Sequence, residues 1–275
     1  MPLTQEDIEG AVPIDRAAIL LSPDELEKSG RKVKPYALII LNQPINDLAM
    51  LKRVWDNATV RACADGGANR LFHALDKSSR QKFKPDFIAG DLDSLMPEIR
   101  EYYEFVLSVP IYHSPDQYST DFGKCLVQLS VMNPAERLAI VALGGTGGRV
   151  DQEFHSYHTL FTHEVMATAE DDSDPTKRRR EVTLLSDDSL TFLVPQADEK
   201  PLTAKIFTPR SVVGPTCGLI PILGPSVISI KGFTWDVEDW PTSFGTQVST
   251  SNAMEGDEVY VKSDKTLIFT LEVRR

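Results

Sequence analysis

From about residue 36 onward the chain repeats one pattern. A short apolar run is followed by small or polar residues and then by a stretch with apolar positions at helical spacing. The runs are Ala37–Leu41, Val60–Ala64, Phe87–Ala89, Phe105–Val109, Ala139–Leu143 and Val182–Leu185. Between them the spacing predicts helices over Asp47–Trp55, Asn69–Ala74, Pro97–Tyr103, Asp121–Leu129 and Asp151–Phe161. Continuous apolar strands alternating with helices predict an α/β fold, a mainly parallel sheet flanked by helices. Ligands of such sheets bind beyond the carboxyl ends of the strands.

After about Thr191 the texture changes. Val227–Ile230, Glu258–Lys262 and Leu267–Val273 alternate apolar and polar residues, with Gly, Pro, Ser and Asp between them. This predicts a C-terminal antiparallel β-sandwich, with Glu258 to Val273 as a hairpin across Ser263-Asp264-Lys265. Residues 1–35 are mixed and polar and read as an irregular leader. The expected division is therefore a leader over 1–35, an α/β domain over 36–188 and a β-sandwich over 189–275. Residues 170–181 run from an acidic block into a basic one around a proline and read as a solvated loop insertion, with a targeting or partner-binding basic patch as the alternative.

Composition narrows the choices. The 275 residues carry 29 Lys and Arg against 40 Asp and Glu, a net charge of −11. Polyphosphate chains are held by basic surfaces, so a nucleic-acid binder is disfavoured. The surplus is uneven: residues 199–275 hold 8 basic and 9 acidic side chains, which leaves almost all of it to the first 198. Cys63, Cys125 and Cys217 are odd in number and widely spaced, which fits reduced thiols rather than a disulfide framework. With no signal-peptide order and no apolar run long enough to span a bilayer, the expectation is a cytoplasmic protein with no membrane partner.

The candidate chemistry sits at the predicted strand ends. Gly90-Asp91-Leu92-Asp93-Ser94 follows Phe87–Ala89, and carboxylates at i and i+2 share a face in extended backbone. Like charges so placed call for a compensating cation, and Mg²⁺ commonly takes one or two carboxylates together with substrate phosphates. A helix cap at Asp93 or Ser94 is the plainer reading. Asp116-Gln117-Tyr118-Ser119-Thr120-Asp121 adds a third carboxylate candidate in Asp121 and, one turn on, Lys124 as a neutraliser of phosphate; simple capping is the alternative. Gly144-Gly145-Thr146-Gly147-Gly148-Arg149-Val150-Asp151-Gln152 joins a strand to a helix. Its glycines let backbone amides approach an anion, and Arg149 adds a bidentate donor. It is neither a P-loop nor a dinucleotide fingerprint. Asp65-Gly66-Gly67-Ala68-Asn69-Arg70 is another strand-to-helix turn: Asp65 could receive a substrate hydroxyl, and Asn69 or Arg70 could meet a nucleotide.

Other features are weaker. His155 and His158 share a helical face without the companions of a zinc site, so surface or core histidines are expected. No serine-nucleophile elbow is present. Trp235-Asp236-Val237 and Ser249-Thr250-Ser251-Asn252 could offer an aromatic face and polar edges to a heteroaromatic ring, or be a core tryptophan and a polar turn.

Taken in order, these segments resemble the thiamin pyrophosphokinase family of eukaryotes. The resemblance rests on Asp65-Gly66-Gly67-Ala68-Asn69-Arg70, Gly90-Asp91-Leu92-Asp93-Ser94, Asp116-Gln117 with Thr120-Asp121-Phe122, and Gly144-Gly145 with Gly148-Arg149 and Asp151-Gln152. It continues through Cys217-Gly218-Leu219-Ile220-Pro221, Gly232-Phe233-Thr234-Trp235, and Phe244-Gly245-Thr246 with Val248-Ser249-Thr250-Ser251-Asn252. The resemblance implies transfer of a pyrophosphoryl group from ATP to the hydroxyl of thiamin, giving thiamin diphosphate and AMP. It implies a homodimer whose active sites lie at the subunit interface, with Mg²⁺ on Asp91, Asp93 and Asp121. Gln117, Thr120, Lys124 and Arg149 would surround the phosphates with Asn69, Arg70, Gly147 and Gly148, and Asp65 and Asp151 would line the same site. Gln152, Trp235, Ser249, Ser251 and Asn252 would face thiamin. Tyr118 departs from the acidic residue expected there in animal relatives. The alternatives are a Mg²⁺-dependent phosphohydrolase with Asp91 as nucleophile, and a thiamin-binding protein without catalysis.

Overall fold

The structure is a computed structural model that describes residues 2–132, 138–166, 180–196 and 201–274. It divides into two compact units, Lys34–Asp187 and a second made of Met1–Val33 with Asp188–Arg275. Among the described residues no helix is long and apolar enough to cross a membrane.

The Lys34–Asp187 unit is built on six parallel strands. Before it in the chain come α1 (Gln5–Glu9), β1 (Val12–Ile14) and α2 (Pro23–Ser29) of the other unit. The six are β2 (Tyr36–Ile40), β3 (Val60–Ala64), β4 (Phe87–Gly90), β5 (Ile111–His113), β6 (Ala139–Leu143) and β7 (Val182–Leu185). Their spatial order is β7-β6-β2-β3-β4-β5, every pair parallel. Every residue of β2 and β7 is buried, which is why these strands read as unbroken apolar runs. The chain leaves β2 toward β5 and then returns to β2's other side with β6. The sheet's switch point, and so its expected crevice, therefore lies at the carboxyl ends of β2 and β6.

Five helices connect these strands: α3 (Leu48–Asp56), α4 (Gly67–Ala74), α5 (Pro97–Glu101), α6 (Asp121–Met132) and α7 (Val150–Phe161). Asp47 caps α3 by accepting the Met50 amide at 2.9 Å, and α6 packs on β3 and β4. One expected strand is absent. Phe105–Val109 belongs to a π-helical turn over Tyr102–Val106 and the loop after it, with Phe105 and Val106 exposed and Tyr103 turned into the core. Hydrophobic character alone could not separate this helix end from a strand, and the true strand, β5, is short and starts two residues later.

The other unit is two sheets. β8 (Ser189–Val194), β9 (Leu202–Phe207), β10 (Val213–Ile220), β11 (Ser226–Lys231), β12 (Val237–Thr242), β13 (Ser249–Ala253), β14 (Glu258–Ser263) and β15 (Leu267–Val273) follow in sequence. They pair as β1-β9-β14-β11-β12 and as β13-β10-β15-β8. All pairs are antiparallel except β1 with β9. The expected hairpin between β14 and β15 does not form: β14 lies between β9 and β11, and β15 between β8 and β10. The turn carries the chain from one sheet to the other. Asp264 is anchored there, accepting the Ser226 hydroxyl at 2.7 Å and the Val227 amide at 2.9 Å. Both strands are buried on most of their length, which a two-stranded hairpin with one wet face would not allow.

Residues 1–35 are not irregular. Thr4 with Asp7, and Ser22 with Glu25, form capping boxes that start α1 and α2. β1 extends the sheet beside β9, and the 3₁₀ turn Arg16–Leu20 buries Ala17, Ala18, Ile19 and Leu20. Lys262 Nζ holds Asp7 at 2.7 Å, and Arg31 pairs with Asp15 and Glu258 while its guanidinium lies 3.9 Å above the centre of the Phe207 ring. The apolar stretch is short and aperiodic, so its partner strand 190 residues downstream left no trace in local patterning. The insertion at 170–181 lies outside the described residues, apart from Arg180 and Glu181.

Candidate active site

A cavity of about 360 Å³ opens at the switch point of the parallel sheet. Its wall comes from Leu41-Asn42-Gln43 after β2, Gly144, Gly145 and Gly147 after β6, Asp91 and Asp93 after β4, Thr120 and Asp121 at the start of α6, and Arg149 and Gln152 with His155 at the start of α7. Parallel strands end at a common edge, so residues far apart in sequence converge there.

The acidic residues are ordered by one buried cation. Lys124 Nζ donates to Asp91 Oδ2 at 2.8 Å and to Asp121 Oδ1 at 3.1 Å, with its side chain only 3% exposed. Lys124 holds Asp91 below the ordinary carboxylate range. Asp121 Oδ1 also accepts the Asp91 amide at 3.1 Å. Lys124 is thus an internal counter-ion beneath the pocket and not a side chain reaching into it. The tightest carboxylate group consists of Asp65, Asp91 and Asp93, whose nearest oxygens all lie within 4.8 Å of one another. Asp65 joins the group where the sequence suggested Asp121.

Asp65 is the strained member. It sits at φ 42° and is 1% exposed; its Oδ2 accepts the Ser94 amide at 3.1 Å, and its Oδ1 is buried without a partner. Burial, helped by the neighbouring Asp121, Asp91 and Asp93, raises its pKa from 3.8 to about 6. An orphaned buried oxygen beside two further carboxylates suits a divalent cation that completes its shell with water or phosphate. The sign of the stability effect follows. A carboxyl whose pKa is raised by folding favours the fold below its ordinary value, and that contribution is lost as pH rises through about 6. Asp65→Asn is therefore expected to stabilise the metal-free protein at pH 7 by up to about 3 kcal/mol. Urea titrations in EDTA check this, with the gain over wild type shrinking as the pH is lowered to 4.

The glycine turn has a different logic from the one its composition suggested. Gly144, Gly147 and Gly148 all have positive φ. A Cβ on Gly148 would lie 2.2 Å from Gln43 Nε2, and one on Gly144 would lie 2.9 Å from Gln43 Cβ. The turn is folded around Gln43. Glu153 holds its tip by accepting the Gly147 amide at 3.2 Å and is itself held by the Tyr157 hydroxyl at 2.6 Å. Arg149 stands at the rim, 75% exposed, and pairs with Asp151 at 2.5 Å. Asp151 is exposed there and is held below the ordinary range by Arg149.

Several expected site residues lie elsewhere. Asn69 is buried and bonded to the Asp91–Met96 loop, Arg70 Nε donates to Asn42 Oδ1 at 2.8 Å, and Gln117 is exposed and does not line the cavity. Tyr118 is fully exposed. Thr120 accepts the Gly123 amide at 3.3 Å, as a cap would, and still lines the cavity. Asn42, Gln43 and Glu153 are lining residues that no motif pointed to, and Ser94 and His155, expected as a cap and as a surface or core histidine, line the cavity as well. The signal for Asn42-Gln43 was their place directly after the first parallel strand; for His155 it was the turn of helix shared with Gln152.

In the β unit, Trp235 is 61% exposed, not a core residue. Asn252 is buried and clamps the backbone beside it, accepting the Trp235 amide at 3.3 Å and donating to the Trp235 carbonyl at 3.1 Å. Ser251 is exposed at φ 57° and lines a shallow cavity of about 210 Å³, and Ser249 begins β13.

Carboxylates able to gather a divalent cation and a guanidinium that can take phosphate oxygens line one cavity at the switch point of a parallel sheet, a combination that fits a nucleotide-dependent phosphotransferase. Comparison with known proteins agrees. Residues 51–169 match the family model for the thiamin pyrophosphokinase catalytic domain and residues 203–268 the model for the thiamin pyrophosphokinase vitamin B1 binding domain. Thiamine pyrophosphokinase 3 of Oryza sativa subsp. japonica is 39% identical over 253 residues, covering 87% of both chains. The thiamine pyrophosphokinase of Saccharomyces cerevisiae is 30% identical over 303 residues, covering 92% of this chain and 88% of the relative. The crystal structure of yeast thiamin pyrophosphokinase superposes with a TM-score of 0.79 at 26% identity, over 100% of this chain and 95% of that one. The chain belongs to the thiamin pyrophosphokinase family.

Proposed function

We infer that the protein is a thiamin pyrophosphokinase, moving a pyrophosphoryl group from ATP to the hydroxyl of thiamin. The observation that carries the reading is the cavity itself, where Asp91, Asp93, Thr120 and Arg149 line one space of about 360 Å³. The thiamin hydroxyl oxygen forms a bond to the β-phosphorus, the bond from that phosphorus to the oxygen retained by AMP breaks, and the hydroxyl proton passes to a carboxylate. Positioning and charge neutralisation do most of the work in such a transfer. Of the two carboxylates offered for that proton, Asp65 would be engaged by the cation, and Asp151 is exposed and held ionised by its pair with Arg149. Arg149 stands at the cavity's open rim as a donor for phosphate oxygens. Thr120 and Gln152 complete its polar lining.

Asp65, Asp91 and Asp93 would hold Mg²⁺, with Asp121 held beside them through Lys124. Bound Mg²⁺ would neutralise phosphate charge and orient the leaving group. The Asp65 oxygen that lacks a partner supports this, because a cation would satisfy it.

The Lys34–Asp187 unit is read as the ATP and Mg²⁺ unit, and the β unit as the carrier of thiamin contacts from Trp235, Ser249 and Ser251. Trp235 and Phe244, each 61% exposed, support a thiamin face completed by a second subunit in a homodimer. Mixing tests the shared site. Asp91→Asn and Trp235→Ala subunits, each inactive alone, should regain roughly a quarter of wild-type activity when mixed and allowed to exchange. No recovery after subunit exchange would place each site within one chain.

A further inference from the structure

The turn Asp65-Gly66-Gly67-Ala68-Asn69 has no place in the phosphate lining, yet it is built with unusual closeness. A Cβ on Gly67 would lie 2.1 Å from the Ile40 carbonyl oxygen; one on Gly66 would lie 2.4 Å from Asn42 Nδ2 and 3.1 Å from Ser94 Cβ. The two glycines let the start of α4 press against the end of β2 and against the loop that follows β4. That approach puts Asn69, 7% exposed, within reach of the loop. Its amide bonds at both ends: Nδ2 donates to the Ser94 carbonyl at 2.7 Å, and Oδ1 accepts the Met96 amide at 3.1 Å.

The gripped segment carries the two exposed-side carboxylates of the acidic group, Asp91 and Asp93. It holds an unfavourable backbone conformation between them, with Leu92 at φ 65°. Within the segment Asp93 is restrained by local bonds alone: its amide donates to Asp91 Oδ1 at 3.3 Å, and its Oδ1 accepts the Ser94 hydroxyl at 3.0 Å. The other side chains that fasten the loop from outside are Asp65, through the Ser94 amide, Asp121, through the Asp91 amide, and Lys124, through the Asp91 carboxylate. All three are charged members of the acidic cluster. Asn69 is the neutral fastener, and it takes both sides of the Ser94–Met96 backbone.

We propose that Asn69 is a positioning residue that sets the separation of Asp91 and Asp93, and thereby the affinity of the acidic group for a divalent cation. The role rests on the assignment of that group to a cation. It differs from the nucleotide contact that the sequence suggested for Asn69, because both polar atoms of the amide are occupied by the loop.

The test is Mn²⁺ binding to the full-length protein without substrates, followed by electron paramagnetic resonance, for wild type, Asn69→Ala and Asp91→Asn. Asn69→Ala is expected to weaken Mn²⁺ binding about tenfold. Turnover should recover as Mg²⁺ is raised, and the KM for thiamin should not move. Circular dichroism reports whether the variant folds. If Asn69→Ala does not, Asn69→Ser serves, since it stays neutral and polar but is too short to bond the Ser94 carbonyl and the Met96 amide together; the same loss of Mn²⁺ affinity is expected. Unchanged Mn²⁺ affinity with a raised KM for ATP would overturn the proposal in favour of a direct nucleotide contact and leave the cation site standing. Mn²⁺ affinity that is as strong in Asp91→Asn as in wild type would overturn the cation site itself and the proposal with it.

Discussion

Asp91→Asn is expected to lower the rate of AMP formation at saturating thiamin and Mg²⁺-ATP by about 10²-fold or more, in a protein that still folds. The size follows from where Asp91 stands. It belongs to the tightest carboxylate group of the site and lines the cavity wall. An amide there withdraws one negative charge from the cation and offers a weaker ligand. The fold survives for a separate reason. Lys124, which Asp91 pairs at 2.8 Å, keeps Asp121 at 3.1 Å, so no buried charge is left alone. The Asp93 amide can still donate to the remaining side-chain oxygen. Steady-state product analysis with a melting curve on the same sample checks both halves, and wild-type turnover in the variant would remove Asp91 from the site.

Lys124→Met is expected to act mainly on stability. The ammonium is almost wholly buried and joins two carboxylates, Asp91 and Asp121. Removing one partner of a fully buried ionic group costs about 3–5 kcal/mol; here Asp91 and Asp121 keep 18% and 32% exposure, so water screens part of their repulsion and a loss of about 2 kcal/mol is expected. The loss should be partly recovered by added Mg²⁺, since a cation on the acidic group would replace the missing charge. Denaturant unfolding with and without Mg²⁺ decides the matter. If Lys124 acted chiefly on phosphate, the variant would instead melt like wild type and show only a raised KM for ATP. Burial of an amphipathic helix residue one turn after a cap is not visible in a sequence, which is why Lys124 first read as a phosphate ligand.

The parts of the molecule that were legible share one property: the signal and its cause are both local. Strands such as Val60–Ala64 and Ala139–Leu143 are buried nearly throughout and so read as apolar runs. Asp91 and Asp93 could be found because they follow such a run directly. The features that escaped depend on distant partners. β14 and β15 are close in sequence and alternate as a hairpin would, yet each pairs with strands from elsewhere in the chain. In the leader β1 takes its order from β9, with Lys262 and Glu258 holding Asp7 and Arg31, whereas α1 and α2 start on capping boxes that are local signals, legible without any distant partner. Gln43 filled no recognised motif, although the glycine turn a hundred residues later is shaped around its side chain. Asp65 was found as a site candidate, but its place among the closest three carboxylates depends on β3 and β4 lying side by side.

The excess of acid in the N-terminal part also gains a meaning. Asp65, Asp91, Asp93 and Asp121 converge on one sheet edge with a single buried ammonium between two of them. That leaves a local negative surplus suited to Mg²⁺ and to the phosphates it accompanies.

The most direct test of pyrophosphoryl transfer is to incubate the protein with thiamin, Mg²⁺ and ATP labelled at the β-phosphorus, and to resolve the nucleotide and thiamin products. AMP and doubly phosphorylated thiamin in equal amounts, with the label in thiamin diphosphate, are expected. ADP accompanied by thiamin monophosphate would contradict it.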